Sequence, residues 1–134
     1  MILVDAGPLA ALAHADDQHH AECRSALAEV REPLATVWPV LSETMYLLGR
    51  LPQSQDVIWE MFTRGFVRIL PLDFPDIVRI RGLMRKYADR RMDLADAALI
   101  AVAERENIRT IFTVDKKDFA VYRLHGRVRP NIFP

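Results

Sequence analysis

Five carboxylates stand in this sequence where they could act together. They are Asp5 in "MILVDAGP", Glu43 in "LSETMY", Asp93 and Asp96 in "MDLADAALI", and Asp115 in "FTVDKKDF". Carboxylates gathered in one pocket repel, by roughly 4 kcal/mol per close pair at an effective dielectric of about 20. Such a group either keeps its protons far above the usual carboxylate range or holds a cation. The set is all oxygen and contains no histidine, so the ion it suits is Mg²⁺, or Mn²⁺, in preference to zinc. Each acid also has an ordinary structural use. Asp93 can be the N-cap and Asp96 the N3 residue of one helix, an acidic capping box favoured by the helix dipole. Asp5 and Asp115 can each cap the helix that follows, and Glu43 can be a surface residue. Only convergence in space separates the two readings.

The elements that would position these acids are legible in outline. Short apolar runs at 2–4, 34–37, 67–70 and 110–114 read as strands. Between them lie stretches of helical composition: "GPLAALAHA" with Pro8 in its first turn, "DDQHHAECRSALAEV" opened by Asp16 or Asp17, and "WPVLSETMYLLGRL" with Gly49 near its end. "QSQDVIWEMFTRG" follows with Gly65 as its stop, and then "FPDIVRIRGLMRKYADRR", whose Ile77, Ile80, Leu83, Met84 and Tyr87 keep close to helical spacing. A helix over about 93–106 precedes the 110–114 strand, "KKDFAVY" is a short helix after it, and the tail "GRVRPNIFP" can add an edge strand. Alternating strands and helices predict an α/β fold of three layers, α/β/α, around a mostly parallel central sheet of four to five strands. At 134 residues one domain, 1–134, is expected. In such a sheet the strands that end at Asp5 and Asp115, and the helices that begin near Glu43 and Asp93, bring all the acids to the carboxyl edge, where open α/β sheets place their ligands.

Composition narrows the partners. Lys plus Arg equal Asp plus Glu at 18 each, so no overall basic footprint exists. A local patch of Arg79, Arg81, Arg85, Lys86, Arg90 and Arg91 can still face phosphates, or be a solvated helix face. The one cysteine, Cys23, excludes an intrachain disulfide and a cysteine-rich zinc site, and is expected to be a small buried apolar residue. No basic segment precedes the short N-terminal apolar run, and no apolar stretch approaches a membrane span, so a cytoplasmic location with no membrane partner is expected. His14, His19 and His20 beside Asp16 and Asp17 match no zinc spacing, and Ser42 has neither a base nor the glycines of a nucleophile elbow. Trp38, Trp59, Met61 and Phe62 are expected to be core, with a partner surface as the alternative.

The ordered pieces "ILVDAGPLAAL", "SE" at 42–43, "DLADAALIAVAE" and "TVDKKDF" resemble the PIN-domain family, and in particular its VapC-type toxins. The resemblance covers essentially the whole chain. It implies a metal-dependent endoribonuclease that cleaves RNA phosphodiester bonds as the toxin of a toxin–antitoxin pair. The family's acidic quartet falls on Asp5, Glu43, Asp96 and Asp115. Asp5, Asp96 and Asp115 would hold Mg²⁺ (or Mn²⁺), and Glu43 would help place a second ion or the attacking water. Asp93 and Asp118 would assist from nearby, Thr113 matches the family's hydroxyl before the last acid, and "AGP" after Asp5 lacks the hydroxyl often found there. The resemblance also implies a homodimer and an antitoxin partner, docked on the apolar helices "VLSETMYLLGRL" and "VIWEMFTRGF".

Three rival functions are weighed. A phosphoacceptor signalling domain would need an acid pair after the first strand, where "VDAGP" has one acid. A non-catalytic binding module of the same fold would be expected to lose members of the quartet, and all four are present. A nuclease of RNA processing shares the chemistry and differs in having no antitoxin.

Overall fold

The protein is described from a computed structural model of residues 1–134. Its strands are β1 (Ile2–Val4), β2 (Leu34–Thr36), β3 (Val67–Ile69), β4 (Thr110–Phe112) and β5 (Asn131–Phe133). Its helices are α1 (Ala6–Ala13), α2 (His20–Glu29), α3 (Trp38–Leu48), α4 (Pro52–Thr63), α5 (Phe74–Lys86), α6 (Leu94–Arg105) and the single-turn α7 (Lys116–Phe119).

The sheet has the order β3-β2-β1-β4-β5 and is parallel throughout. The tail is its fifth strand: Ile132 pairs with Ile111. The first three strands step outward in one direction, and β4 then returns to the other side of β1. Right-handed crossovers therefore put α1–α4 on one face and α5–α6 on the other. Helix α1 lies on α2, α3 and α4, and α5 on α6, while α3 and α6 also meet, which joins the helices that carry Glu43 and Asp96. β1 and β4 leave in opposite directions, so their carboxyl ends flank a switch point, the usual ligand crevice of open parallel sheets. Asp5 and Asp115 follow these two strands.

Burial of both faces explains why β1 reads as an unbroken apolar run. The core is one cluster that joins the strands to α6, whose residues Ala95–Glu104 are all buried. Alanines make that possible, since small side chains let a helix lie close to a sheet.

Several local expectations shift. The strands at 34–37, 67–70 and 110–114 are shorter than their apolar runs: Val37 is already the N-cap of α3, and Leu70 and Thr113 each donate one last backbone hydrogen bond, to Thr36 and Phe133 at 2.9 and 3.0 Å, beyond the paired residues. Helix α2 begins at His20, not at Asp16 or Asp17; Asp17 instead accepts the His19 amide at 2.8 Å in a turn one residue upstream. Of the stripe at helical spacing on α5, Leu83 and Tyr87 reach the core fully, while Ile77 is 56% exposed. Trp38 and Trp59, expected to be core, are 56% and 46% exposed, while Met61 and Phe62 pack against the core from its margin. Cys23 is buried, as expected.

A candidate metal centre at the sheet edge

Asp5 is the N-cap of α1 in extended backbone, φ −84° and ψ 169°. One of its oxygens accepts the Ala6 amide at 2.8 Å, and the other accepts the Thr113 hydroxyl at 2.8 Å. The same hydroxyl oxygen accepts the Asp115 amide at 3.0 Å. Thr113 thus ties the ends of β1 and β4 together at the switch point. Asp93 caps α6 by accepting the Asp96 amide at 2.8 Å, which seats Asp96 in the first turn with its own carboxylate free to point elsewhere. That carboxylate accepts the hydroxyl of Tyr122 at 2.9 Å. Asp115 caps α7 through the Asp118 amide at 3.2 Å.

The N-caps expected of Asp5, Asp93 and Asp115 are therefore made, but the capping box is only half formed, because the Asp96 carboxylate turns to Tyr122 and not back to the Asp93 amide; the acids converge as well. Asp5 and Asp96 are buried, Glu43 and Asp118 half-buried, Asp93 and Asp115 exposed. Burial pushes Asp5 up to about 6, with the charges of Asp115 and Asp93 adding to it. Burial, then the charges of Asp93, Asp5 and Asp115, pushes Glu43 up to about 7. Asp96 is pushed up to about 8 by burial and by Asp5 and Asp93, against the lowering effect of the Tyr122 hydroxyl. Asp115 is raised too, by its partial burial and by Asp118 and Asp93. No Lys, Arg or His side chain pairs with Asp5, Glu43, Asp93, Asp96 or Asp115. The ion pair at the site is Arg90–Asp118 at 3.4 Å.

Uncompensated acids of this kind fit a hard divalent cation. One carboxylate oxygen from each of Asp96, Asp115 and Asp118 lies within 4.8 Å of the others. At the 2.0–2.1 Å ligand distances of Mg²⁺, neighbouring oxygens stand about 3 Å apart, so this trio would hold one ion by moving inward or through bridging water. Asp118, expected to assist from nearby, belongs to the tightest grouping, whereas both oxygens of Asp5 already accept hydrogen bonds.

Tyr122 is the residue that sequence reasoning missed. It is fully buried, its ring meets Tyr87 edge-on at 5.0 Å and Phe119 at 5.2 Å, and its hydroxyl donates to the most perturbed acid of the site. The signal was Phe119 and Tyr122 three residues apart, just past Asp115. The arginine patch divides: Arg79 is committed to Glu104 through two hydrogen bonds of 2.8 and 2.9 Å, and Arg90 to Asp118. Arg85, Lys86 and Arg91 are exposed and unpaired with any acid.

Comparison with known proteins adds relatives. The family model described as PIN domain matches residues 2–124. Ribonuclease VapC26 of Mycobacterium tuberculosis is 26% identical over 143 residues, aligned across 99% of this chain and 100% of that protein. Among solved structures, the Mycobacterium tuberculosis toxin VapC20, described as cleaving the sarcin-ricin loop, superposes with a TM-score of 0.83 at 22% identity over 100% of both chains. A toxin–antitoxin complex from Klebsiella pneumoniae gives 0.69 at 21% identity, over 90% of this chain and 92% of that one. At these identities the likeness to solved structures is one of fold.

Proposed function

The chain belongs to the PIN-domain family, and from that premise we propose that it is a metal-dependent endoribonuclease, the toxin of a toxin–antitoxin pair, acting in the cytoplasm. The observation that carries the reading is the set of acids at the β1/β4 switch point that no basic side chain neutralises. The curated relative named as a ribonuclease, aligned end to end, supports it.

In this reading Asp5, Asp96 and Asp115 hold Mg²⁺ or Mn²⁺, with Asp118 beside them. A divalent cation there supplies positive charge against the scissile phosphate and makes a nearby water more acidic. The chain's own residues do the rest. Thr113 fixes one oxygen of Asp5 and the backbone of Asp115 at once. Tyr122 fixes Asp96. Glu43, held near neutral in its proton affinity, is suited to orient a water and take its proton. Arg85, Lys86 and Arg91 offer the RNA backbone unpaired cations.

One solved neighbour is a toxin–antitoxin complex, and by the same reading this chain has an antitoxin partner and forms a homodimer. A groove of about 630 Å³ lined by Leu12, Leu27, Val30, Met61 and Phe66 suits an apolar segment of the antitoxin. The exposed apolar side chains of α3 and α4, among them Leu47, Val57 and Trp59, offer area to a second copy.

The test is cleavage. The purified chain should degrade RNA with Mg²⁺ or Mn²⁺, stop on addition of EDTA, and lose activity on Asp96→Asn with its circular dichroism unchanged. RNA left intact under both metals, or Asp96→Asn cleaving like the wild type, means the nuclease reading is dropped.

A further inference from the structure

Beside the acids lies a groove of about 760 Å³ whose aromatic and apolar side chains the metal reading does not use. Glu43 and Asp93 form one of its walls, and Trp38, Ser42, Tyr46 and Leu94 are among its other lining residues. Residues 38, 42 and 46 share a face of α3, four apart each time. Their rings are not buried: Trp38 is 56% exposed and Tyr46 84%. Together with Leu94, 51% exposed, they make a contiguous apolar patch along the groove, and such patches mark interaction surfaces and ligand-binding grooves.

We propose that Trp38 and Tyr46 form a stacking platform for unpaired nucleobases that flank the phosphate cleaved at the acidic cluster. The inference rests on the nuclease reading, and the groove's own chemistry selects the occupant. Glu43 and Asp93 make the groove itself unfavourable for a phosphate but not for the neutral π-face of a base, while the scissile phosphate would meet the cation held by Asp5, Asp96 and Asp115. Glu43, Asp93 and Ala95 line the groove, and Asp96 follows Ala95 in the first turn of α6, so a base seated here is next to the acids proposed to act on the phosphate. Trp38 and Tyr46 stand about 12 Å apart along the helix axis at 1.5 Å per residue, too far to grip one base, so they address two. A paired stem keeps its bases stacked inside, which leaves single strands and loops as the substrates the platform admits.

Two readouts test this. First, KM and kcat are measured for Trp38→Ala, Tyr46→Ala and Trp38→Phe on a single-stranded oligoribonucleotide, and on the same strand carrying one abasic sugar at each position in turn. The alanine variants should raise KM about tenfold with a smaller effect on kcat, Trp38→Phe should restore most of the loss, and abasic sugars next to the cleaved bond should reproduce it. Second, in a Trp59→Phe background, the fluorescence of Trp38 should be quenched by the intact strand and less by the abasic one. Unchanged KM in both alanine variants, equal cleavage of abasic and intact strands, or an alanine variant that turns dimer into monomer overturns the platform. The last outcome would give this face to a second copy instead. If the wild type cleaves no RNA with Mg²⁺ or Mn²⁺, the nuclease reading fails by itself, and the quenching still decides: quenching by the intact strand supports the platform and its absence overturns it.

Discussion

The buried hydroxyls of Tyr122 and Thr113 hold down proton affinities that burial and neighbouring charges raise, because each is a donor placed where no cation side chain reaches. Tyr122→Phe removes the donor to Asp96. That loss should raise the proton affinity of Asp96 further, so the pH at which Mn²⁺ binding is half-maximal should move upward and cleavage near neutral pH fall by about 10- to 100-fold, as for other groups that orient a metal's ligands. Titrating Mn²⁺ binding against pH in both proteins checks it, and an unmoved pH profile would remove Tyr122 from the site. The same acids set the pH dependence of stability. Asp5, Glu43 and Asp96 have proton affinities raised in the folded chain to about 6, 7 and 8. A raised value means the folded state binds protons more tightly than the unfolded one. That stability is present at low pH and is lost as pH climbs through the raised values. The metal-free chain should therefore unfold at progressively lower urea as pH rises from about 5 to about 8.5, and Mn²⁺ should restore the midpoint at the alkaline end. A midpoint in EDTA that stays level across this range would mean the acids are not coupled.

At the level of elements, two close fits position the site. A Cβ on Gly7 would stand 2.6 Å from Cγ2 of Val114, so the first turn of α1 lies directly against the segment that carries Thr113 and Asp115. Gly7→Ala should force that segment outward, costing about 1–3 kcal/mol by overpacking and far more in activity than in melting temperature. Activity that survives while stability drops would show that the segment yields without moving Asp115. The cap of α6 separates two roles of Asp93. Asp93→Asn keeps a capping oxygen and removes a charge that raises Glu43 and Asp96, so above about pH 7 the metal-free variant should be more stable than the wild type. Asp93→Ala removes both and should fall about 1 kcal/mol below Asp93→Asn. These elements were legible in part. Asp93, the alanines of α6 and the acids at strand ends follow from local chemistry, and so did the order of strands and helices. Helical spacing shows which residues share a face, not what that face meets, so it does not separate the exposed Ile77 from the buried Leu83, nor does size alone put Trp38 and Trp59 inside. The Tyr122–Asp96 hydrogen bond spans 26 residues and has no local signature.

Across the whole molecule, zero net charge conceals a division. Acids gather at the switch point, while Arg85, Lys86 and Arg91 stay exposed at the end of α5 and before α6. Replacing Arg85 and Lys86 with Ala should weaken RNA binding on all sequences alike. The dependence of log Kd on log salt should also fall, by about one for each phosphate that is no longer neutralised. A salt dependence that does not change would assign the two residues to solvent.

The Thr113–Asp5 hydrogen bond joins residues 108 apart in sequence. During synthesis, the first strand and its acid emerge long before the partner that completes them. Under the proposed nuclease function, a growing chain is therefore inactive until Thr113 and Asp115 have left the ribosome. Ribosome-bound chains halted before Thr113 should cleave nothing, however long they wait. On that reading, the order in which the residues are joined withholds activity before any inhibitor can bind.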